Sequence, residues 1–213
     1  MNRRRGSRSE VIAAAAVVTV VVSVGCEDRP ANARSGSAVP PPVVEPAPTP
    51  APPTPLEVIR RSETLADAIS VARPLMTDTH DEHSGGTLLL TAWAADHLRW
   101  ADVAVGRDET SFALVKKDVD AARGKRMCVT GRIIQIAKQT LDAATFFDGL
   151  MFGARGDILS FFAVASTGEL VEGSPARFCG VVTGKYDYSN SGGGTGHAVE
   201  SVGMFDLRDN RAR

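Results

Sequence analysis

Four neighbouring residues, His80, Asp81, Glu82 and His83, form a dense group of metal-ligating side chains. Two imidazoles and two carboxylates within four residues could chelate zinc or copper. The spacing is not the i, i+4 histidine pair of a zinc-protease helix, and the sequence around it offers no third ligand set. Most such loops are simply solvated. Metal binding centred on His80 and His83 is therefore an alternative hypothesis, that of a metal-handling protein or a metal-dependent enzyme.

A second candidate site is marked by the chain's two tyrosines, Tyr186 and Tyr188, which precede a glycine-rich stretch from Asn190 to Gly196. This stretch lies between two predicted strands, so it lacks the helix N-terminus that phosphate-binding loops use. Exposed tyrosines beside such a loop suit contact with a sugar, a peptide or a base. We predict a ligand face at Tyr186, Tyr188, Asn190 and Gly193. It is equally open that the tyrosines only cover one end of the fold.

The sequence has no nucleophile elbow, phosphate loop or dinucleotide fingerprint. His197 stands alone at the start of the last predicted strand and is given a structural role. We therefore predict a non-enzymatic chain that needs no cofactor.

Residues 1–26 have the layout of an export signal. Four arginines precede an uncharged, mostly apolar run over residues 11–25. This run is shorter than the roughly 20 residues that a membrane span needs. The alternative is an N-terminal anchor that is not cleaved.

The end of this segment, Val22-Ser23-Val24-Gly25-Cys26, resembles the lipobox of bacterial lipoproteins. Gly25 matches the small residue before the cleavage site, and Cys26 matches the lipidated cysteine. Ser23 departs from the pattern, because the family usually has leucine there. The resemblance implies export to the cell envelope and a membrane-anchored protein, with lipidation at Cys26, and leaves open which membrane.

Residues 27–56 are predicted to be a disordered tether. Ten of the twelve prolines fall between Pro30 and Pro55. Proline fixes φ and removes an amide donor, which favours an extended chain of about 3.1 Å per residue. A proline-rich ligand for a recognition domain is the alternative.

The remainder of the chain carries 18 Lys and Arg against 21 Asp and Glu, a net charge of −3. A domain that binds nucleic acid through phosphates needs a basic face, so we expect no nucleic acid partner. Residues 57–122 are predicted to be helical. One helix follows the cap at Thr64, and a longer one, from about residue 86, places Trp93 and Trp100 on one side.

From residue 123 to 213 the pattern changes to five β-like runs, each bounded by glycine or polar residues. Five short strands in this length predict a small barrel. The runs "RGKRMCVTGRIIQI" and "EGSPARFCGVVTG" resemble strands 1 and 4 of the tRNA-anticodon-binding-like OB-fold modules of bacterial secreted proteins. The expected fold class is therefore mainly β, with a C-terminal five-stranded OB-type barrel after a small helical segment.

This resemblance also concerns Cys128 and Cys179. Strands 1 and 4 of an OB barrel are neighbours, and an exported protein meets an oxidising compartment. With Cys26 assigned to the signal, we predict a disulfide between Cys128 and Cys179. Two free thiols that pack as small residues remain the alternative.

The function that these features favour is a non-enzymatic binding or interaction module tethered in the cell envelope. Its expected partners are the membrane, through the lipid anchor, and an envelope protein or a glycan. Nucleic acid binding stands as a third hypothesis, by analogy of fold alone.

Overall fold

The computed structural model describes residues 51–141, 144–190 and 192–213. The chain divides into two units, Met1–Pro48 and Thr49–Arg213, and the described residues all belong to the second. The predicted export signal, the lipidation of Cys26 and nearly all of the 27–56 tether lie outside the described residues. Within the described ranges, no helix combines the length and the apolar character needed to cross a membrane.

Short helices come first along the described chain, and long strands follow. In chain order the elements are α1 Pro55–Ile59, α2 Leu65–Ala72, β1 Thr79–His80, α3 Gly85–His97, α4 Trp100–Val103, α5 Phe112–Lys117, α6 Val119–Ala122, β2 Arg126–Leu141, β3 Ala144–Gly153, β4 Ile158–Val164, β5 Pro175–Ser189, β6 Thr195–Phe205 and α7 Arg208–Arg211. A 3₁₀ turn, Arg73–Leu75, follows α2.

The first helix begins inside the segment predicted to be tether. Thr54 caps α1 by accepting a hydrogen bond from the backbone N–H of Glu57, whose carboxylate in turn accepts from the N–H of Thr54 at 2.7 Å. Pro55 occupies the first helical position, where its missing N–H would have no partner in any case. The tether prediction is therefore corrected at its last two residues, Pro55 and Leu56.

The second helical region is broken where one helix was expected. α3 ends at His97, and Leu98 is extended. Arg99 is the N-cap of α4, and its backbone N–H donates to the Asp102 carboxylate at 2.9 Å. Leu98 is almost fully buried. Burial of the Leu98 side chain explains the break. An extended backbone at Leu98 directs this side chain into the core, although helical hydrogen bonds are lost there.

The five predicted strands, β2 to β6, are all present and form a ring. β2 pairs antiparallel with β3 and with β5, β3 pairs antiparallel with β4, and β5 pairs antiparallel with β6. β4 and β6 are parallel, which closes the ring. β1 adds to β5 as a short parallel strand and completes a six-stranded mixed sheet. The structure is thus mainly β, as the sequence predicted.

Alternation along the strands gives the ring two faces. One set of side chains packs in its interior, including Met127, Val129 and Phe178, and α5 and α6 contribute Val115 and Ala122 to the same cluster. The opposite set, which includes Phe162, Val181 and Met204, packs against side chains from α1 to α4 such as Trp93. The helices before the ring therefore cover part of its outer surface. The boundary between 57–122 and 123–213 as separate domains stays a prediction.

The predicted disulfide is confirmed. Cys128 and Cys179 are direct partners in the β2–β5 register, and their sulfurs are bonded with a Cα–Cα distance of 4.0 Å. Cys179 is fully buried, so the bond lies under the helical layer.

Candidate ligand-binding site

A buried carboxylate, Glu200, lies between the outer face of the ring and α3. No part of its surface is exposed, and three side chains contact it. Nδ1 of His83 is 2.6 Å from Oε1, while the hydroxyls of Thr87 and Thr183 donate to Oε2 at 2.5 and 3.2 Å. No lysine or arginine among the described residues forms an ion pair with it. Because an unpaired buried carboxylate is costly, these three donors are what make its burial tolerable.

Local structure brings these residues together from three elements. Ser84 caps α3 by accepting from the N–H of Thr87, which places His83 just before the helix and Thr87 in its first turn. Glu200 lies at the middle of β6, with its side chain on the face turned to the helices. Thr183 sits at the register shift in β5 between Val182 and Gly184. The register shift changes the direction of the Thr183 side chain, as β-bulges commonly do.

A series of aromatic rings extends outwards from His83. The rings of His83 and Phe162 are perpendicular, with centroids 4.6 Å apart, and His83 stacks on Tyr186 at 4.8 Å. Tyr186 stacks on Tyr188 at 5.9 Å, with their planes 18° apart. We name His83, Tyr186 and Tyr188 the aromatic strip. It connects the buried carboxylate to a half-buried tyrosine near the turn between β5 and β6.

Tyr188 lies over Gly196, its cross-strand partner in β6. A Cβ at position 196 would come within 2.3 Å of the Tyr188 ring. The glycine therefore lets the ring lie flat on the neighbouring strand. This packing defines the position of Tyr188 even though its side chain is partly exposed.

Electrostatics around the strip are negative. Burial, followed by the charges of Asp81, Glu200 and Asp148, raises the pKa of the Tyr186 hydroxyl above its usual value. Each of these influences disfavours the phenolate. Tyr186 therefore presents a neutral phenol ring at physiological pH, in surroundings that repel anions.

The predicted ligand residues Asn190 and Gly193 build the turn beside the strip. The side-chain oxygen of Asn190 accepts hydrogen bonds from the N–H groups of Gly192 and Gly194, both at 3.0 Å. Gly193 has φ of 77°, the left-handed region that glycine adopts at little cost. In this structure both residues shape the turn, and their role in ligand contact stays a prediction.

The four residues from His80 to His83 are not assembled into one ligand set. His80 lies in β1 with its side chain largely exposed, whereas His83 turns inwards to Glu200. Asp81 has φ of 55°, and its carboxylate accepts from the N–H and hydroxyl of Ser189, both at 2.8 Å. Those two hydrogen bonds lower the pKa of Asp81.

Glu82 is exposed. Over the described ranges, no group of three or more His, Cys, Asp and Glu residues is arranged to hold a metal ion. Another exposed histidine, His197, lies 2.7 Å from the carboxylate of Asp187, its partner across β5 and β6.

Sequence reasoning found the two tyrosines but missed Glu200, Thr87 and the partnership of His83. The signal was present in β6, where Glu200 shares its face with Ala198 and Val202 in an otherwise apolar run. A lone carboxylate on an alternating apolar face predicts a buried polar contact.

Comparisons with known proteins find little. No family model matches the chain, and neither does any curated protein. Among solved structures, the mitochondrial single-stranded DNA-binding protein Rim1 of S. cerevisiae is similar to part of the chain, at 13% sequence identity and a TM-score of 0.27. The match covers 40% of this chain and 94% of Rim1. At this identity and TM-score, the ligand of Rim1 carries no information about the ligand of this chain.

One prediction is corrected by this comparison. The expected partners were a membrane through a lipid anchor, an envelope protein or a glycan, with nucleic acid left out. The similar structure is that of a single-stranded DNA-binding protein, in conflict with that expectation, and none of the expected partner classes is carried forward.

Proposed function

We propose that this chain is an exported, non-enzymatic binding module whose five-stranded ring is an OB-type barrel and whose ligand is a nucleobase. The observation that carries the proposal is the aromatic strip, in which stacked rings end at the partly exposed Tyr188. Stacking of a base on an aromatic side chain contributes about 1–3 kcal/mol and needs no particular base, because every base has a π face. Export is supported by the disulfide between Cys128 and Cys179, a bond typical of oxidising compartments.

The base could come from a single strand or from a free nucleoside. Binding that relies on phosphates needs basic side chains, and the strip instead has Asp81, Asp148 and Glu200 near Tyr186. We therefore expect stacking to dominate and the affinity to depend only weakly on salt. Comparison of thymidine with a thymidine oligonucleotide of roughly 12 nucleotides distinguishes the two sources.

The test is a titration of the full chain with the labelled oligonucleotide, followed by fluorescence anisotropy. Tyr188→Ala should weaken binding by about tenfold to a hundredfold, the loss of one stacked base, and leave the thermal midpoint nearly unchanged. The matched control is Phe152→Ala, because Phe152 is another exposed aromatic side chain, 49% exposed on β3. Normal binding by Tyr188→Ala, or loss of binding in Phe152→Ala alone, would show that the ligand face is not at the strip.

A further inference from the structure

Asp81 is hydrogen-bonded to β5 on both sides of Tyr188. Its backbone N–H donates to the carbonyl of Asp187 at 2.8 Å. Its carboxylate accepts from the N–H and the hydroxyl of Ser189, both at 2.8 Å. A carboxylate is therefore fixed beside the backbone of Tyr188, the residue on which the ligand is proposed to stack.

Resting on the proposed function, we propose that the aromatic strip prefers a nucleobase that carries a positive charge over a neutral base of the same size. An adenine methylated at ring N1 is a base of the preferred kind. Tyr188 offers the π face, and Asp81 is the specificity-determining residue that adds the opposite charge.

The charge of Asp81 is available to a ligand. The hydrogen bonds from the N–H and the hydroxyl of Ser189 lower the pKa of the Asp81 carboxyl, so it is ionised at neutral pH. Its side chain is 48% exposed, and no lysine or arginine among the described residues forms an ion pair with it. Nε2 of the exposed His80 lies 3.3 Å from Oδ2. The same charge also reaches Tyr186, the ring that stacks on Tyr188.

Tyr188 is placed to receive a cation on its face. Its ring packs on β6 over Gly196, and the side chain is partly exposed. A cation over the face of a tyrosine is attracted by the ring quadrupole, which gives about a threefold gain in affinity at an exposed site. A carboxylate held beside the neighbouring residue adds a gain of about the same size at the protein surface. Together the two effects predict about a tenfold preference for the charged base.

The experiment uses two isomers of methylated adenosine. Methylation at ring N1 gives a base that is a cation at neutral pH, whereas methylation of the exocyclic amine gives a neutral base of the same composition. Each isomer competes with the labelled thymidine oligonucleotide for the full chain, and fluorescence anisotropy reports the displacement. For wild type, half displacement should need about tenfold less of the cationic isomer. In about 1 M salt this preference should fall, because the Debye length shrinks to about 3 Å.

Asp81→Asn removes the charge and keeps a side-chain oxygen that can accept from Ser189. Asparagine also suits the backbone of this position, where φ is 55°, because it enters the left-handed region more readily than most residues. The preference of this variant should fall to about threefold, the part that comes from the ring alone. Glu169→Gln is the matched control, since it removes an exposed carboxylate from the segment between β4 and β5, and it should keep the preference of wild type.

The remaining outcomes separate this inference from the proposed function. Equal displacement by the two isomers in wild type, or an undiminished preference in Asp81→Asn, would overturn the role of Asp81 and leave oligonucleotide binding intact. Displacement by neither isomer from a chain that binds the oligonucleotide would also overturn the preference for a charged base. Absence of oligonucleotide binding by wild type would overturn the proposed function itself, and this inference with it.

Discussion

Nδ1 of His83 lies 2.6 Å from Oε1 of Glu200, and this contact ties the residue before α3 to the middle of β6. The two residues are 117 positions apart in the chain. The contact joins a helix terminus to the outer face of the strand ring, and the aromatic strip starts from it. We therefore expect both the stability of the fold and the binding of the ligand to depend on this pair.

Replacement of Glu200 tests that expectation. Glu200→Ala leaves the donors of His83, Thr87 and Thr183 without an acceptor and should reduce the free energy of unfolding by about 3 kcal/mol. Glu200→Gln keeps the shape and one acceptor oxygen, so it should lose only about 1 kcal/mol. Urea unfolding of both variants measures the difference. Equal, small losses would mean that the buried carboxylate does not hold the helices to the ring.

Reduction of the disulfide should destabilise the chain strongly. Cys128 and Cys179 are 51 residues apart, and a loop of that length gives about 4 kcal/mol in the chain-entropy description. Urea unfolding with and without a reductant measures this contribution. The variant with both cysteines replaced by alanine is the control, since a reductant should not change its midpoint. An unchanged midpoint for the reduced wild-type chain would contradict the prediction.

Gly196→Ala tests whether the position of the Tyr188 ring matters for ligand binding. The new Cβ would lie 2.3 Å from the Tyr188 ring, so the ring must leave its place on β6. We expect the oligonucleotide affinity to fall about as far as in Tyr188→Ala. Gly106→Ala is the matched control, because a Cβ there meets no atom within 4 Å. Tight binding by Gly196→Ala would indicate that the ring position is not needed.

Asp206 should make stability depend on pH in the acid range. Its carboxylate accepts from Arg211 at 2.5 Å and from Arg177 at 3.2 Å, and the hydrogen bond from Arg211 is the largest influence that lowers its pKa. A lowered pKa means that the unfolded chain binds the proton first as pH falls. The contribution is therefore complete above the unfolded value of about 3.9 and is lost as pH falls through the lower folded value.

The measurement for Asp206 is thermal unfolding across that acid range. The wild-type midpoint should fall more steeply with decreasing pH than the midpoint of Asp206→Asn, because the variant has no proton to bind there. Parallel curves for the two proteins would assign the acid sensitivity to other carboxylates.

Much of the strand ring could be predicted from the sequence. Five β-like runs bounded by glycine or polar residues marked the strands, and alternation in the first of them placed Met127 and Val129 on one face and Cys128 on the other. The pairing of Cys128 with Cys179 followed from the resemblance to OB-fold modules and the redox compartment. Capping residues such as Thr64 marked a helix start, because a cap acts within three residues of itself.

The tertiary structure decided the site. Nothing near His83 in the sequence specifies that it turns to Glu200 rather than to a metal beside His80, because that choice depends on how α3 lies on the ring. The break at Leu98 was likewise decided by burial against other elements. Strand alternation and helix caps depend on neighbours within a few residues, so the sequence alone determines them. The partners of a buried charge come from three distant segments, and only packing of the whole chain brings them within hydrogen-bonding distance.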